Sequence, residues 1–329
     1  MRLSILDQSP VISGLGARRA IEETLALARR ADALGYHRYW LAEHHAIAAL
    51  ADPCPELLLA RLGAETQRIR IGTGGVLLPY YSAFRVAEAF RMLEALYPGR
   101  IDLGIGRAPG GDQRTAQAVA GGGLPDARQF PDQVWQLFAH LDGTLPDEHP
   151  FKRVRVQPEI DGAPEVWLLG SSDYSGALAA QLGLPFSFAH FINPEGGDGV
   201  SRNYRQCFVA GREKGPRSMV CTFLICAESD AAAERLAAPI DLRRLHMALN
   251  IDSPVPTQEE SLRHPYTPEE RRYVLTQRAR AVIGGPRSCR AALEAMAERY
   301  AADEIMVLTI TGDYESRARS YELLADAFG

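Results

Sequence analysis

Val166-Trp167-Leu168-Leu169-Gly170-Ser171-Ser172 is an apolar run that ends on a small polar turn. Residues 174–182 then carry a helical pattern, and Gly183-Leu184-Pro185 turns the chain into Phe186-Ser187-Phe188-Ala189. A strand that is apolar at successive positions is buried on both faces, as in a parallel sheet covered by helices. Working outward, the same alternation recurs in both directions. Strand patterns fall at residues 3–7, 38–42, 69–76, 101–106, 166–169, 186–189, 219–226 and 304–309. Helical patterns follow near 18–34, 55–65, 84–96, a long stretch ending near 140, 174–182, 200–212, a start near 230, and 314–328. Eight strand–helix units without a break in composition predict one α/β domain over residues 1–329, a (β/α)8 TIM barrel rather than two doubly wound halves. Residues from about 251 to 268, with Pro254, Pro256, Pro265 and Pro268, interrupt the last units and read as an inserted loop. Such a loop either covers the barrel mouth or is a passive surface excursion.

Composition narrows the function classes. The chain has 329 residues, 46% hydrophobic and 23% charged, enough to bury a sizeable core. A net charge of −5 argues against a nucleic-acid binder, which needs a basic stripe. Lys152 and Lys214 are the only lysines, which leaves little room for a Schiff-base or phosphate-loop lysine. Cys54, Cys207, Cys221, Cys226 and Cys289 form no CxxC pair and no zinc spacing, so no metal is expected on them. Asp7 interrupts the N-terminal apolar run, and no run approaches a membrane span, so a cytoplasmic protein with no membrane partner is expected.

In a barrel, chemistry belongs at the C-terminal ends of the strands. The second strand ends Glu43-His44-His45. Adjacent strand side chains point to opposite faces, so His44 and His45 are poorly placed to share an ion. Glu43 with His45 has the i, i+2 spacing of a metal pair, and imidazole suits acid–base work near neutrality. The third strand contains Gly72, Gly74 and Gly75, which mark either a bulge or close approach of a flat ligand. The fourth, Leu103 to Gly111, resembles a dinucleotide loop only superficially, because its spacing is wrong and Pro109 intrudes. It leaves Arg107 as a fixed charge suited to phosphate. On the neighbouring strand, Gly170-Ser171-Ser172 opens a helix and offers free amides to an anion, unless Ser172 or Asp173 simply caps that helix.

Taken together, these segments resemble the bacterial-luciferase-like, flavin-dependent monooxygenases nearly from end to end. The resemblance is carried by WLAEHH (residues 40–45), RIRIGTGGVLLP (68–79), PGRIDLGIGRAPG (98–110), WLLGSS (167–172), LGLPFSFAHF (182–191), DEIMVLT (303–309) and RSYELLA (319–325). It implies a barrel that binds FMN, with Arg107, Gly170, Ser171 and Tyr174 at the phosphate and Ser172 and Ser175 nearby. It further implies a cis peptide at Gly74–Gly75 beneath the flavin ring, and catalytic roles for His44 and its neighbour His45.

The implied reaction inserts one oxygen atom of O2 into a small apolar or aromatic substrate through a flavin C4a-hydroperoxide. FMNH2 would come from a separate NAD(P)H:flavin reductase, and the chain would act as a homodimer. Tyr80-Tyr81 and Phe191 stand where many relatives have histidines, which with His190 marks the expected substrate side. Gly106 and Gly110 replace a cysteine and a tyrosine of the light-emitting enzymes and argue against bioluminescence. An F420-dependent oxidoreductase on the same fold, and a metal-dependent hydrolase built on Glu43, His44 and His45, are the alternatives.

Overall fold

A computed structural model describes residues 1–107 and 112–329. The motif residues Ala108, Pro109, Gly110 and Gly111 lie outside the described residues, and with them the comparison made at Gly110. The first half of the chain runs β1 (Arg2–Asp7), α1 (Gly16–Ala33), β2 (Arg38–Leu41), α2 (Pro55–Glu65), β3 (Arg70–Leu77), α3 (Ala83–Leu96), β4 (Ile101–Gly106), α4 (Gln113–Val119) and α5 (Phe130–Asp142). It continues through β5 (Glu165–Gly170), α6 (Asp173–Gln181), β6 (Phe186–Ala189), α7 (Gly197–Gln206), β7 (Ser218–Cys226), α8 (Asp230–Leu236) and α9 (Ala238–Ala248). Last come α10 (Gln258–Arg263), α11 (Pro268–Gln277), β8 (Ala281–Gly284), α12 (Pro286–Tyr300), β9 (Glu304–Leu308) and α13 (Tyr314–Phe328).

The strands β1 to β7 pair in parallel in chain order, β7 pairs β9, and β9 returns to β1, closing an eight-stranded parallel barrel. This is the expected (β/α)8 architecture. Alternation along each strand is hidden in the sequence because both faces are apolar. Ile5, Tyr39, Ile71, Leu103 and Val307 face the helices, whereas Leu6, Trp40, Trp167, Met219 and Met306 pack together as a second core. Trp40 and Trp167 meet edge-on at 5.7 Å within that second core.

Four details depart from expectation. A ninth strand, β8, pairs with Phe223–Cys226 of β7, and α12 follows it; neither was read from the sequence. The helical stretch ending near residue 140 is broken into α4 and α5, with Gly121 and Gly122 at φ of 69° and 100° ending the first piece. The helix expected over 200–212 stops at Gln206. The insertion is neither structureless nor free: α10 forms within it, opened by a capping box between Thr257 and Glu260. Val255 is fully buried, donates to the Val11 carbonyl and accepts from Ser13 N–H, each at 2.8 Å. Asp252 accepts the Ala48 N–H at 2.9 Å. Residues 8–13 and 44–50 follow the C-terminal ends of β1 and β2, so these bonds pin the insertion to the barrel mouth.

Candidate active site at the barrel mouth

A cavity of about 540 Å3 opens at the C-terminal ends of the strands, within the roughly 300–1,000 Å3 typical of ligand sites. Its wall joins His44, Gly74, Gly75 and Arg107 to Gly170, Ser171, Ser172 and Ser175. Phe191 lies on the wall as well. Sequence reasoning missed Leu6, Gln8, Ser187, Cys221 and Met306, which reach the same wall from β1, β6, β7 and β9 and from the turn after β1. Ser187 carried the one local signal, a small polar residue inside the apolar run of β6.

The glycines of β3 have a packing cause. A Cβ on Gly74 would approach Leu6 Cδ1 to 2.5 Å, and one on Gly75 would approach the Gly104 carbonyl oxygen to 2.7 Å. The strand register shifts between Thr73 and Val76, and the Gly74–Gly75 peptide is cis, as the resemblance implied. Gly74 and Gly75 therefore give the cavity a floor of bare backbone. Space is open beside Gly106, where an added Cβ would meet nothing within 4 Å.

At the opposite side of this floor β4 and β5 build an anion cradle. The Arg107 guanidinium is exposed, lies 4.3 Å from the centre of the Tyr174 ring, and has no ion pair among the described residues. Ser172 occupies the N-cap position of α6, yet its hydroxyl makes no capping bond; it pairs with Ser175 Oγ at 3.0 Å instead. The capping alternative is thereby overturned. First-turn amides have no partners within their own helix and attract anions, so this end of α6 remains available. Gly170 is required because a Cβ would strike Ser175 Oγ at 2.0 Å.

The histidine pair is divided between two tasks. His44 is half-buried, and its Nδ1 is enclosed without a hydrogen-bond partner. Burial lowers its pKa to about 4, so the ring is neutral at physiological pH. His45 is absent from the cavity wall, and its Nε2 lies 2.7 Å from Glu43 Oε1. The same carboxylate accepts Tyr81 O–H at 2.6 Å and Leu77 N–H at 2.9 Å. Glu43 is thus committed to locking the loops after β2 and β3 together. Among the described residues no three metal-ligating side chains converge, so the geometry does not assemble Glu43, His44 and His45 into one ligand set.

The residues expected on the substrate side divide between the cavity wall and the packing beside it. Tyr80 packs edge-on against His45 and Tyr81 and, like Tyr81, does not line the cavity. His190 is buried and turned away from it: its Nε2 donates to the Ala279 carbonyl at 3.0 Å, and its Nδ1 lies 2.8 Å from Tyr300 Oη. Phe191 and Ile192 face the cavity in its place. Tyr174, in the first turn of α6, lays its ring beside the Arg107 guanidinium.

A closed parallel barrel, with an anion cradle and a neutral imidazole on one cavity at its C-terminal end, defines a TIM-barrel enzyme. The chain belongs to the luciferase-like monooxygenase family, whose model matches residues 1–303, and it is an oxidoreductase of the monooxygenase kind. It is 45% identical to the uncharacterized protein YwcH of Bacillus subtilis, over 99% of this chain and 98% of that one. It is 33% identical to the N-acetyl-S-alkylcysteine monooxygenase of the same organism, over 99% and 98% of the two chains. The crystal structure of apo-MsnO8 superposes with a TM-score of 0.92 at 40% identity, covering 99% of this chain and 98% of that one.

Proposed function

We propose that the chain is the oxygenating component of a two-component FMN-dependent monooxygenase, which inserts one oxygen atom of O2 into a small apolar or aromatic substrate. In this reading a separate NAD(P)H:flavin reductase delivers FMNH2, and the enzyme works as a homodimer in the cytoplasm. No helix among the described residues is long and apolar enough to cross a membrane. The carrying observation is that one cavity holds both an anion cradle, whose Arg107 has no ion pair among the described residues, and a neutral histidine whose Nδ1 is enclosed without a partner.

The residues present fit a phosphate-bearing flavin. Arg107 and the first turn of α6 would hold the phosphate, with Ser171, Ser172 and Ser175 as hydroxyl partners and Gly170 keeping the approach open. The bare backbone at Gly74–Gly75 would support the flat ring system. Reduced FMN, when bound, supplies the two electrons that O2 activation requires. The protein does the rest. Leu6, Leu77, Leu169, Phe191 and Met306 make the wall largely apolar and keep bulk water away from the reacting atoms. His44, neutral and enclosed, takes or returns a proton at Nδ1. His45 is a positioning residue, acting through Glu43.

The test is aerobic turnover with FMN, NADH and a generic flavin reductase under 18O2, screened against small thioethers, including N-acetyl-S-alkylcysteines, ketones and aromatics. The expected product gains one labelled oxygen. Binding of F420 in preference to FMN, with hydride transfer and no label in the product, would replace this reading with the deazaflavin alternative.

A further inference from the structure

Behind the stretch of cavity wall formed by His44, Phe191 and Ile192 stand three arginines that the flavin phosphate does not explain. Arg243 and Arg244 of α9 are both buried, with relative exposures of 7% and 8%. Neither has a carboxylate within 4 Å among the described residues. Among the described residues Arg243 makes one weak bond, to Met247 Sδ at 3.5 Å, and its guanidinium acts electrostatically on His44 of the cavity wall. The nearest acid acting on it, Asp252, accepts the Ala48 N–H. Arg244 donates once, to the Gln277 carbonyl at 3.2 Å, and its Nη2 is enclosed with no acceptor. Its guanidinium stacks 4.6 Å from the Phe223 ring, which meets Phe191 of the wall at 5.7 Å. Arg280 completes the group: it donates to the carbonyls of Phe191 and Ile192 and has no ion pair among the described residues. Asp241, the carboxylate closest to this group, is bonded by Arg278.

Burying a guanidinium without a contact ion pair is expensive: Asp252 acts on Arg243 and Asp241 on Arg244 from a distance, yet burial prevails and pulls the pKa of both down to about 10. Both nonetheless stay charged near neutral pH. A chain of net charge −5 thus keeps three arginines, without ion pairs among the described residues, behind one stretch of cavity wall, a field that draws anions toward it. The flavin phosphate is accounted for by other residues, on β4 and β5. We infer that the substrate is itself an anion, an apolar body ending in a carboxylate, whose charge turns to the α9 side of the cavity and is held there by Arg243 with Arg244 and Arg280 beside it. The inference rests on the proposed function, because it names the substrate class of that same cavity.

The experiment is calorimetric titration of the full-length protein, with and without FMN, using hexanoate, benzoate and hydrocinnamate, each paired with its methyl ester. The acids are expected to bind about ten- to a hundredfold more tightly than their esters, the scale of one hydrogen bond to a charged group. Added salt should narrow that gap. Arg243→Gln should collapse the gap while Arg243→Lys keeps most of it; Arg280→Gln, at a less buried position, serves as the second variant. A thermal melt confirms that each variant is folded. If Arg243 only tunes His44, acid and ester change equally in Arg243→Gln, and that result overturns the inference. Esters binding as well as acids, or no binding by any acid, overturns it as well. The FMN titration in the same samples reads separately: loss of FMN binding refutes the flavin assignment, whereas lack of acid selectivity with FMN bound refutes only the anionic substrate.

Discussion

The two ends of this barrel handle buried polar groups in opposite ways. At the N-terminal end, Arg38 is 1% exposed and its guanidinium reaches Asp102 at 2.7 Å, Glu165 at 2.9 Å and Glu304 at 3.1 Å. Asp102 further accepts Trp40 Nε1–H at 2.9 Å and Arg70 Nε–H at 2.9 Å, and Glu165 accepts Trp167 Nε1–H at 2.6 Å. Each of these charges faces an opposite one, although Arg217 Nε and Glu94 Oε2 nearby are enclosed without partners. At the C-terminal end, His44 Nδ1, Asp52 Oδ2 and Arg244 Nη2 are enclosed with no partner. A buried polar atom without a partner costs about 1–3 kcal/mol, so a fold retains several at one end only if something else benefits. The comparison separates a plug that stabilises the barrel from a mouth left incomplete for ligands.

Removing the plug's central cation gives the largest expected effect. Arg38→Met leaves Asp102, Glu165 and Glu304 buried around a neutral side chain, which should cost about 3–5 kcal/mol in urea unfolding. FMN affinity of the folded fraction should not change. A variant as stable as the parent would break the comparison, because the plug would then contribute nothing measurable.

Arg107→Ala tests the mouth from the other direction. It should weaken FMN by about 1.5–3 kcal/mol, read by quenching of flavin fluorescence, while riboflavin, which lacks the phosphate, binds as before. Stability of the flavin-free protein should stay within about 0.5 kcal/mol, as expected for an exposed side chain without an ion pair. Equal weakening of both flavins would remove the phosphate from the cradle.

Titration sharpens the contrast, since the two ends respond in different pH windows. The His44 ring is depressed from 6.5 to about 4, so its neutral folded form contributes fully above 6.5, and that contribution is lost as the pH falls toward 4. Glu165 is under opposing influences: burial would raise it, but Arg38, Arg217 and Arg70 prevail and hold it near 2. Its contribution is present above 4.5 and is lost between 4.5 and about 2. In His44→Gln the decline between pH 6.5 and 4 should shrink by about 1–2 kcal/mol while the decline below 4.5 persists. An unchanged profile between 6.5 and 4 would mean that His44 is not desolvated in the folded protein.

These differences also explain what the sequence could and could not reveal. The eight barrel strands were legible because each is a short apolar run followed by a helical period. β8 was not, since no glycine, proline or asparagine separates Ala281–Gly284 from the helical stretch before it. The anion cradle was legible because Gly170, Ser171, Ser172 and Ser175 are neighbours in the chain. The rest of the wall was not: Gln8, Ser187, Cys221 and Met306 meet only when the barrel closes. The direction of His190 was not legible for a related reason, because it is set by Tyr300, 110 residues away. The arginines of α9 lie in a stretch with no motif, and their meaning depends on which carboxylates fail to reach them.

The smallest expected effect concerns a single atom at the mouth. Asp52 sits behind His44: its carbonyl accepts the His44 N–H, its Oδ1 accepts Cys54 N–H at 3.1 Å, and its Oδ2 has no partner. Burial, with Asp7, Glu56 and Glu43 adding negative charge, raises its pKa from 3.8 to about 7. The unfolded chain therefore releases this proton first, and folding loses stability as the pH rises from 3.8 to about 7. Asp52→Asn keeps an oxygen for the Cys54 amide and has no proton to lose. At pH 8 the variant should be more stable than the parent by about 1 kcal/mol, and at pH 4 the two should coincide. A stabilising mutation beside the proposed catalytic histidine, with flavin affinity unchanged, would show that the mouth tolerates an ionised carboxyl which the plug would have paired. If Asp52→Asn is destabilised at every pH, Oδ2 has a partner after all, and the mouth is more complete than the comparison holds.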